Sequence, residues 1–305
     1  MGSPKILIIG GKSRLGMALE HEFARHYEVQ TISRPDLDLL GSPREIHRVL
    51  DGLDFDLLLL PAGITDVDHC ERRPDEAWKA NAGAPAHIAA WCARRGIRMI
   101  HFGTDYVFEG VKSTPYNEED ATSPISLYGK CKLAGERAVI QASPANLVVR
   151  LSWLFGPGKA GATPDWAVQL AMEQDFLKIA SDRISMPTYT IDVARGLFPL
   201  LFDPKATGWL HMANSSSCSW LEWAKFSIDA AVDAGLTVRT RMVNSTTMAE
   251  VFLNRAHRPK YTVFATDKYE ALTGMKLPCW QDAVKRYVKE TVVPRYADNG
   301  LRAAV

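Results

Sequence analysis

A chain of 305 residues has room for one large or two modest domains with a full core. Hydrophobic residues make up 47% and charged residues 23%, and 36 Lys+Arg offset 35 Asp+Glu, so no charge excess points to nucleic acid. Five scattered cysteines (Cys70, Cys92, Cys131, Cys218 and Cys279) without a C-x-x-C argue against a zinc or disulfide framework and for a reducing cytosol. The longest apolar run is too short to span a bilayer and the start lacks a signal-peptide pattern, so a cytoplasmic protein with no membrane partner is expected.

In chain order, "KILIIG" reads as a strand and "RLGMALEHEFARH" as a helix with Leu15, Leu19 and Phe23 at four-residue spacing. "EVQTIS" is a second strand, "PREIHRVLDGL" a helix and "FDLLLLPAG" a third strand. "RPDEAWKANAGAPAHIAAWCARRG" is a helical stretch, and "RMIHFGT" and "NLVVRLSW" are further strands flanking the helix that contains Tyr128. Uninterrupted apolar strands separated by helices predict a Rossmann-type, doubly wound parallel α/β sheet, covered on both faces, with ligands beyond the carboxyl ends of its strands. Past residue 155 the rhythm loosens into the loop "GPGKAGATP" and a tryptophan-rich stretch in which Ser219 is a candidate N-cap. We therefore expect a dinucleotide-binding domain over 1–155, with later segments returning to it, and a smaller mixed α/β substrate lobe over 156–305.

"IIGGKSRLG" lies between the first strand and first helix, where a dinucleotide pyrophosphate meets backbone N–H groups and the positive helix end. Gly10, Gly11 and Gly16 supply the glycines; Ser13 stands where a second close-approach glycine is usual, and Lys12, Arg14 and Leu15 complete the turn. The look-alike "GGKS" is not a P-loop, because Ile6 occupies the position of its leading glycine. The second strand ends in Ser33-Arg34 without an acid, and with Lys12 and Arg14 nearby this favours NADPH, with NADH as the lesser option. Asp36 remains available to a ribose.

"SPISLYGKCKLAGE" sets Tyr128 and Lys132 one helical turn apart, about 6 Å along the axis. A free phenol titrates near pH 10 and is a poor acid at neutrality; a neighbouring ammonium lowers that value and can also hold a ribose. Thr104, ending the strand "RMIHFGT", supplies a hydroxyl to orient a carbonyl. Y-x-x-x-K alone is commonly a solvated helix face; with the glycine turn and the strand-end threonine it points to carbonyl reduction.

These motifs resemble the extended short-chain dehydrogenases/reductases, and within them the dTDP-4-dehydrorhamnose reductase group. "PAGITDVDHCERRPDEAWKANA", "GTDYVFEG", "PYNEEDATSPISLYGKCKLAGE", "VVRLSWLFG", "MPTYTIDVA" and "GWLHMA" follow in that group's order over most of the chain. The resemblance implies Thr104 as carbonyl orienter, Tyr128 as proton donor and Lys132 as ribose holder. It also implies that Pro61, Ala62 and Gly63 pass under the cofactor ribose and that Asp38 and Leu39 lie near adenine. Thr65, Val67, Asp105, Trp153 and Arg258 would face the nucleotide-sugar substrate, Trp153 also lying close to the nicotinamide.

The chain departs from the group at Ser13, at Gly103 (usually serine), at "PAG" (usually Asn-Ala-Ala), at "GATPDWAVQL" and at "RPKYTVF". Some members bind a metal through a glutamate at the position of Ala18, so no such metal is expected here. His101 and His211 read as buried, hydrogen-bonded histidines, Cys131 as packing, and Trp220 and Trp223 as core rather than a sugar platform. The expected function is an NAD(P)H-dependent 4-keto nucleotide-sugar reductase, as monomer or homodimer. The alternatives are a non-catalytic NADP-binding regulatory subunit, like the methionine adenosyltransferase β subunit, and a nucleotide-sugar epimerase or dehydratase.

Overall fold

The computed structural model describes residues 3–253 and 255–297. The expected alternation is present: β1 (Lys5–Ile9), α1 (Arg14–Phe23), β2 (Glu28–Ile32), α2 (Pro43–Asp51) and β3 (Leu57–Leu60) follow one another. Strand β4 (Arg98–Thr104), the helix Leu127–Ala142 and β5 (Leu147–Leu151) complete the first half. The stretch between β3 and β4 is helical as expected, but Pro74–Trp78 and Ala84–Arg94 are joined by a π-turn over Lys79–Gly83.

All six strands of the main sheet are parallel, in the order Gly208–His211, β5, β4, β3, β1, β2. Parallel strands need crossovers, and the helices supplying them cover both faces. Alternate residues of one strand therefore enter different cores. Ile6, Ile8, Leu57, Leu59, Phe102 and Val149 pack with Leu15, Leu19 and Phe23 of α1 and with Val193 and Leu197. Leu7, Ile9, Leu58, Leu60 and Val148 pack with Ile46 and Leu50 of α2, and with Ile88, Trp91 and Val139. Trimming one of these fully buried side chains to alanine costs about 2–5 kcal/mol.

The chain reverses direction across the sheet between β1 and β3, the switch point at which such folds take ligands. Beyond residue 155, the helices Thr163–Glu173 and Trp220–Asp233 pack with the parallel strands Phe176–Ala180 and Met242–Thr246. Helix Thr163–Glu173 begins within the segment expected as loop, its second residue being Pro164, which tolerates the missing N–H there. Ser219 caps Trp220–Asp233 in a reciprocal capping box with Glu222. All five cysteines are free, four of them buried. No helix among the described residues is long and apolar enough to cross a membrane.

Candidate active site

At the carboxyl ends of β1, β3, β4 and β5 lies a cleft of about 520 Å³. The first β–α turn forms one side. Gly10 has φ 106°, open to glycine, and a Cβ there would come within 2.9 Å of the Ala62 Cβ. A Cβ at Gly16 would overlap the Gly10 carbonyl oxygen. The turn is thus packed to a closeness that only glycine allows, and it presents the N-terminus of α1 to the cleft, as a pyrophosphate requires. Ser13 is the N-cap of α1: its hydroxyl accepts from Gly16 N at 3.0 Å. The departure from glycine at position 13 thus trades close approach for a capped helix.

The cations expected around the cofactor behave differently from one another. Arg14 lines the cleft, but its guanidinium donates to the Gly156 carbonyl and, at 2.7 Å, to that of Lys159, tying the glycine turn to the loop after β5. Lys12 and Arg34 are exposed, and among the described residues neither is held in an ion pair. Asp36 accepts from Ser33 N at 3.3 Å and Asp38 from Leu40 N at 3.0 Å, so both are engaged in turns of their own backbone. Leu39 packs against the core under α2.

Thr104 ends β4, and Tyr128 and Lys132 project from one face of Leu127–Ala142, whose N-cap Ser126 accepts from Gly129 N. All three line the cleft, beside Ser13, Leu15, Pro61, Ala62, Gly63, Thr65, Val67, Asp105 and Trp153. Thr104 hydrogen-bonds with Tyr128, and its hydroxyl also donates to Asp105 Oδ1 at 3.2 Å. The Tyr106 ring packs edge-on against Tyr128 with centroids 5.4 Å apart.

The electrostatics differ from the simple expectation of a phenol lowered by lysine. Burial pushes the Tyr128 phenol up, outweighing its Thr104 hydrogen bond, and Asp105 pushes it further the same way. Burial also brings Lys132 down to about 8, with Glu136 acting against the fall. Lys132 Nζ donates to the Phe102 carbonyl at 2.6 Å and lies 3.2 Å from His101 Nε2. Burial, and then the Lys132 charge, hold His101 well below the ordinary imidazole value, so it faces the ammonium as a neutral acceptor. His211 is also buried and bonds the Tyr116 carbonyl at 3.1 Å, in keeping with a structural histidine.

Trp153 has φ 38°, a strained conformation for a bulky residue, and stacks on Trp223 at 5.3 Å. Its indole N–H and that of Trp223 are buried without an acceptor, each costing about 1–3 kcal/mol unless a ligand accepts from it. Trp220 and Trp223 pack in the core as expected, and both also line the cleft. Arg258 does not line it. Its guanidinium pairs with Asp68 at 3.0 and 3.3 Å and lies over the Phe252 ring, because that carboxylate on the neighbouring helix offers the stronger partner.

Two further residues line the cleft: Asn81, which closes the family-like segment "PAGITDVDHCERRPDEAWKANA", and Arg183, which carries no local sequence signal. Asn81 uses both ends of its amide on Ile64, accepting from N at 2.9 Å and donating to O at 2.8 Å, which fixes the segment after β3. It sits in the π-turn, whose extra residue per turn shifts it from the face that helical periodicity assigns. Arg183 lies between short strands in no periodic pattern.

The model of the RmlD substrate binding domain matches residues 4–293. The spore coat polysaccharide biosynthesis protein SpsK of Bacillus subtilis is 30% identical over 94% of this chain and 97% of its own. The dTDP-4-dehydrorhamnose reductase of Sinorhizobium fredii is 31% identical over 93% and 96%. A crystal structure of dTDP-4-dehydrorhamnose reductase from Bacillus anthracis in complex with NADP superposes with a TM-score of 0.86 at 27% identity, covering 94% of this chain and 99% of that one. With its glycine turn, strand-end threonine and tyrosine–lysine helix meeting in one cleft, this chain belongs to the RmlD substrate-binding-domain family.

Proposed function

We propose that this protein is an NADPH-dependent reductase of a 4-keto nucleotide sugar, of the dTDP-4-dehydrorhamnose reductase type. The observation that carries it is the meeting of Thr104, Tyr128 and Lys132 in the cleft that the glycine turn borders. Gly10, Gly11 and Gly16 let the turn pack against Ala62, Thr31 and its own backbone so that the N-terminus of α1 faces a pyrophosphate, and Lys12 and Arg34, in no ion pair among the described residues, suit a 2′-phosphate. Bound NADPH supplies the hydride that reduces the keto carbon. Thr104 orients the carbonyl, and Tyr128 Oη gives its proton to the oxygen as negative charge develops there. Its raised phenol keeps that proton in place at neutral pH, as a donor requires. The Lys132 ammonium, one turn along the same helix face, offsets the phenolate left behind and is suited to a ribose hydroxyl. Pro61, Ala62 and Gly63 suit the cofactor ribose and Thr65, Val67, Asp105 and Trp153 the sugar, all of them lining the cleft, whereas Asp38 and Leu39 lie outside that lining and are assigned to adenine on the family resemblance alone. Five free cysteines fit a cytosolic setting, and a monomer or homodimer fits a cleft built within one chain.

The test is NADPH oxidation with dTDP-4-dehydrorhamnose beside a Tyr128→Phe variant. Turnover is expected to fall by about 10²–10⁴-fold in the variant while NADPH binding is unchanged. Undiminished turnover by Tyr128→Phe rejects the assigned proton donor.

A further inference from the structure

Arg183 is only 8% exposed yet lines the cleft. Its guanidinium lies among three rings, 5.3 Å from the centroid of Trp153, 5.5 Å from Tyr106 and 5.8 Å from Trp220. Nη2 donates to the Tyr106 hydroxyl at 2.7 Å, whereas Nε is buried with no acceptor. Among the described residues no carboxylate forms an ion pair with it. Asp105 acts on it only through space, its oxygens being taken by Thr262 at 2.7 Å and Thr104 at 3.2 Å.

A guanidinium stays charged at any working pH, so this is a permanent cation with a desolvated, unused donor. Such a group needs an acceptor, and a negatively charged one compensates it best. The indole N–H of Trp153, whose ring faces Arg183, is a second donor in the same position. The location identifies the molecule concerned. Tyr106, the hydrogen-bond partner of Arg183, packs directly on Tyr128, so the anion belongs to the ligand whose carbonyl Tyr128 serves.

We propose that Arg183 receives an oxyanion carried by the keto-sugar substrate, either a phosphoryl oxygen of its diphosphate or a carboxylate on the sugar. This rests on the reductase reading of the cleft. Arg183 is thereby a specificity residue that favours a substrate carrying that oxyanion over a neutral analogue lacking it.

The full chain, with NADP present, is titrated with inorganic pyrophosphate and separately with glucuronate, following tryptophan emission. Saturable binding of either anion is expected, weakened about tenfold or more by Arg183→Gln and less by the charge-keeping Arg183→Lys. Pyrophosphate as the tighter ligand identifies the diphosphate, and glucuronate the carboxylate; both outcomes uphold the proposal. If Arg183→Gln does not fold, Arg183→Met, which retains an apolar stem against the rings, replaces it. Wild-type binding in the uncharged variant, or no saturable binding of either anion by the wild type, overturns it. Arg183-dependent anion binding without NADPH-dependent reduction of keto sugars would reject the reductase reading and leave the anion site standing.

Discussion

Glu136 Oε2 accepts from Arg150 Nε at 2.9 Å beside Gly103, with neither side chain more than 2% exposed. The pair joins the helix bearing Tyr128 and Lys132 to β5 and occupies the space beside the residue preceding Thr104. A Cβ at residue 103 would overlap the Glu136 carboxylate and come within 3.0 Å of Arg150 Cγ. Glycine at 103 leaves the room that this buried ion pair fills.

Gly103→Ser is therefore expected to destabilise the fold by about 1–3 kcal/mol, through overpacking. Glu136→Ala should cost more, about 3–5 kcal/mol, because it leaves Arg150 charged and unpaired in the interior. Denaturant unfolding of both variants measures this. A serine variant as stable as the wild type would show that Glu136 can yield without cost.

Lys132 predicts a pH dependence of opposite sign to that of a surface lysine. Its folded value is about 8 against 10.5 in a free chain. Below about 8 the group is charged in both states and burial opposes folding in full; between about 8 and 10.5 the unfolded chain holds the extra proton. Its contribution to stability is therefore present above 10.5 and lost as pH falls through about 8. The expected slope across that window is at most about 1.4 kcal/mol per pH unit, measured as the difference between wild type and Lys132→Met. Where the charged form is needed, kcat/KM for NADPH should decline with a midpoint near 8. A decline centred at the ordinary lysine value would contradict the burial argument.

Arg34, exposed after β2 and held in no ion pair among the described residues, is expected to read the phosphate that distinguishes NADPH from NADH. Arg34→Ser should lower kcat/KM for NADPH by about tenfold, the scale of one charge-assisted hydrogen bond, and leave that for NADH unchanged. The ratio of the two constants is the measurement. An unaltered ratio would move the selectivity to Lys12.

Arg14 bonds the carbonyls of Gly156 and Lys159, while Asp165 accepts from Gly161 N at 3.1 Å and Ala162 N at 2.9 Å in the same loop. Arg14→Ala should loosen the first half of that loop and leave the second anchored. Faster tryptic cleavage after Lys159 and a KM for the sugar raised about tenfold are expected, with kcat little changed. Equal cleavage rates in the two proteins would show that Asp165, with Arg295 on the Gly158 carbonyl at 2.7 Å, holds the loop without Arg14.

The alternation of apolar strands and helices by itself determined the parallel sheet, because strands covered on both faces are apolar at nearly every position, as in the four leucines of β3. The glycine turn was legible for a similar reason: Gly10 and Gly16 occupy positions that a Cβ would obstruct, and such a demand fixes residue type locally. Tyr128 and Lys132 were legible because one helical turn separates them whatever surrounds the helix. Burial and partner choice were decided only in three dimensions. Folding buries Tyr128 and raises its phenol, brings Lys132 against His101, turns Arg14 onto a loop more than 140 residues distant and pairs Arg258 with Asp68. Arg183 and Asn81 likewise reach the cleft through nonlocal packing and a π-turn. Desolvation and ion pairing depend on what lies across space, and a sequence records only what lies along the chain.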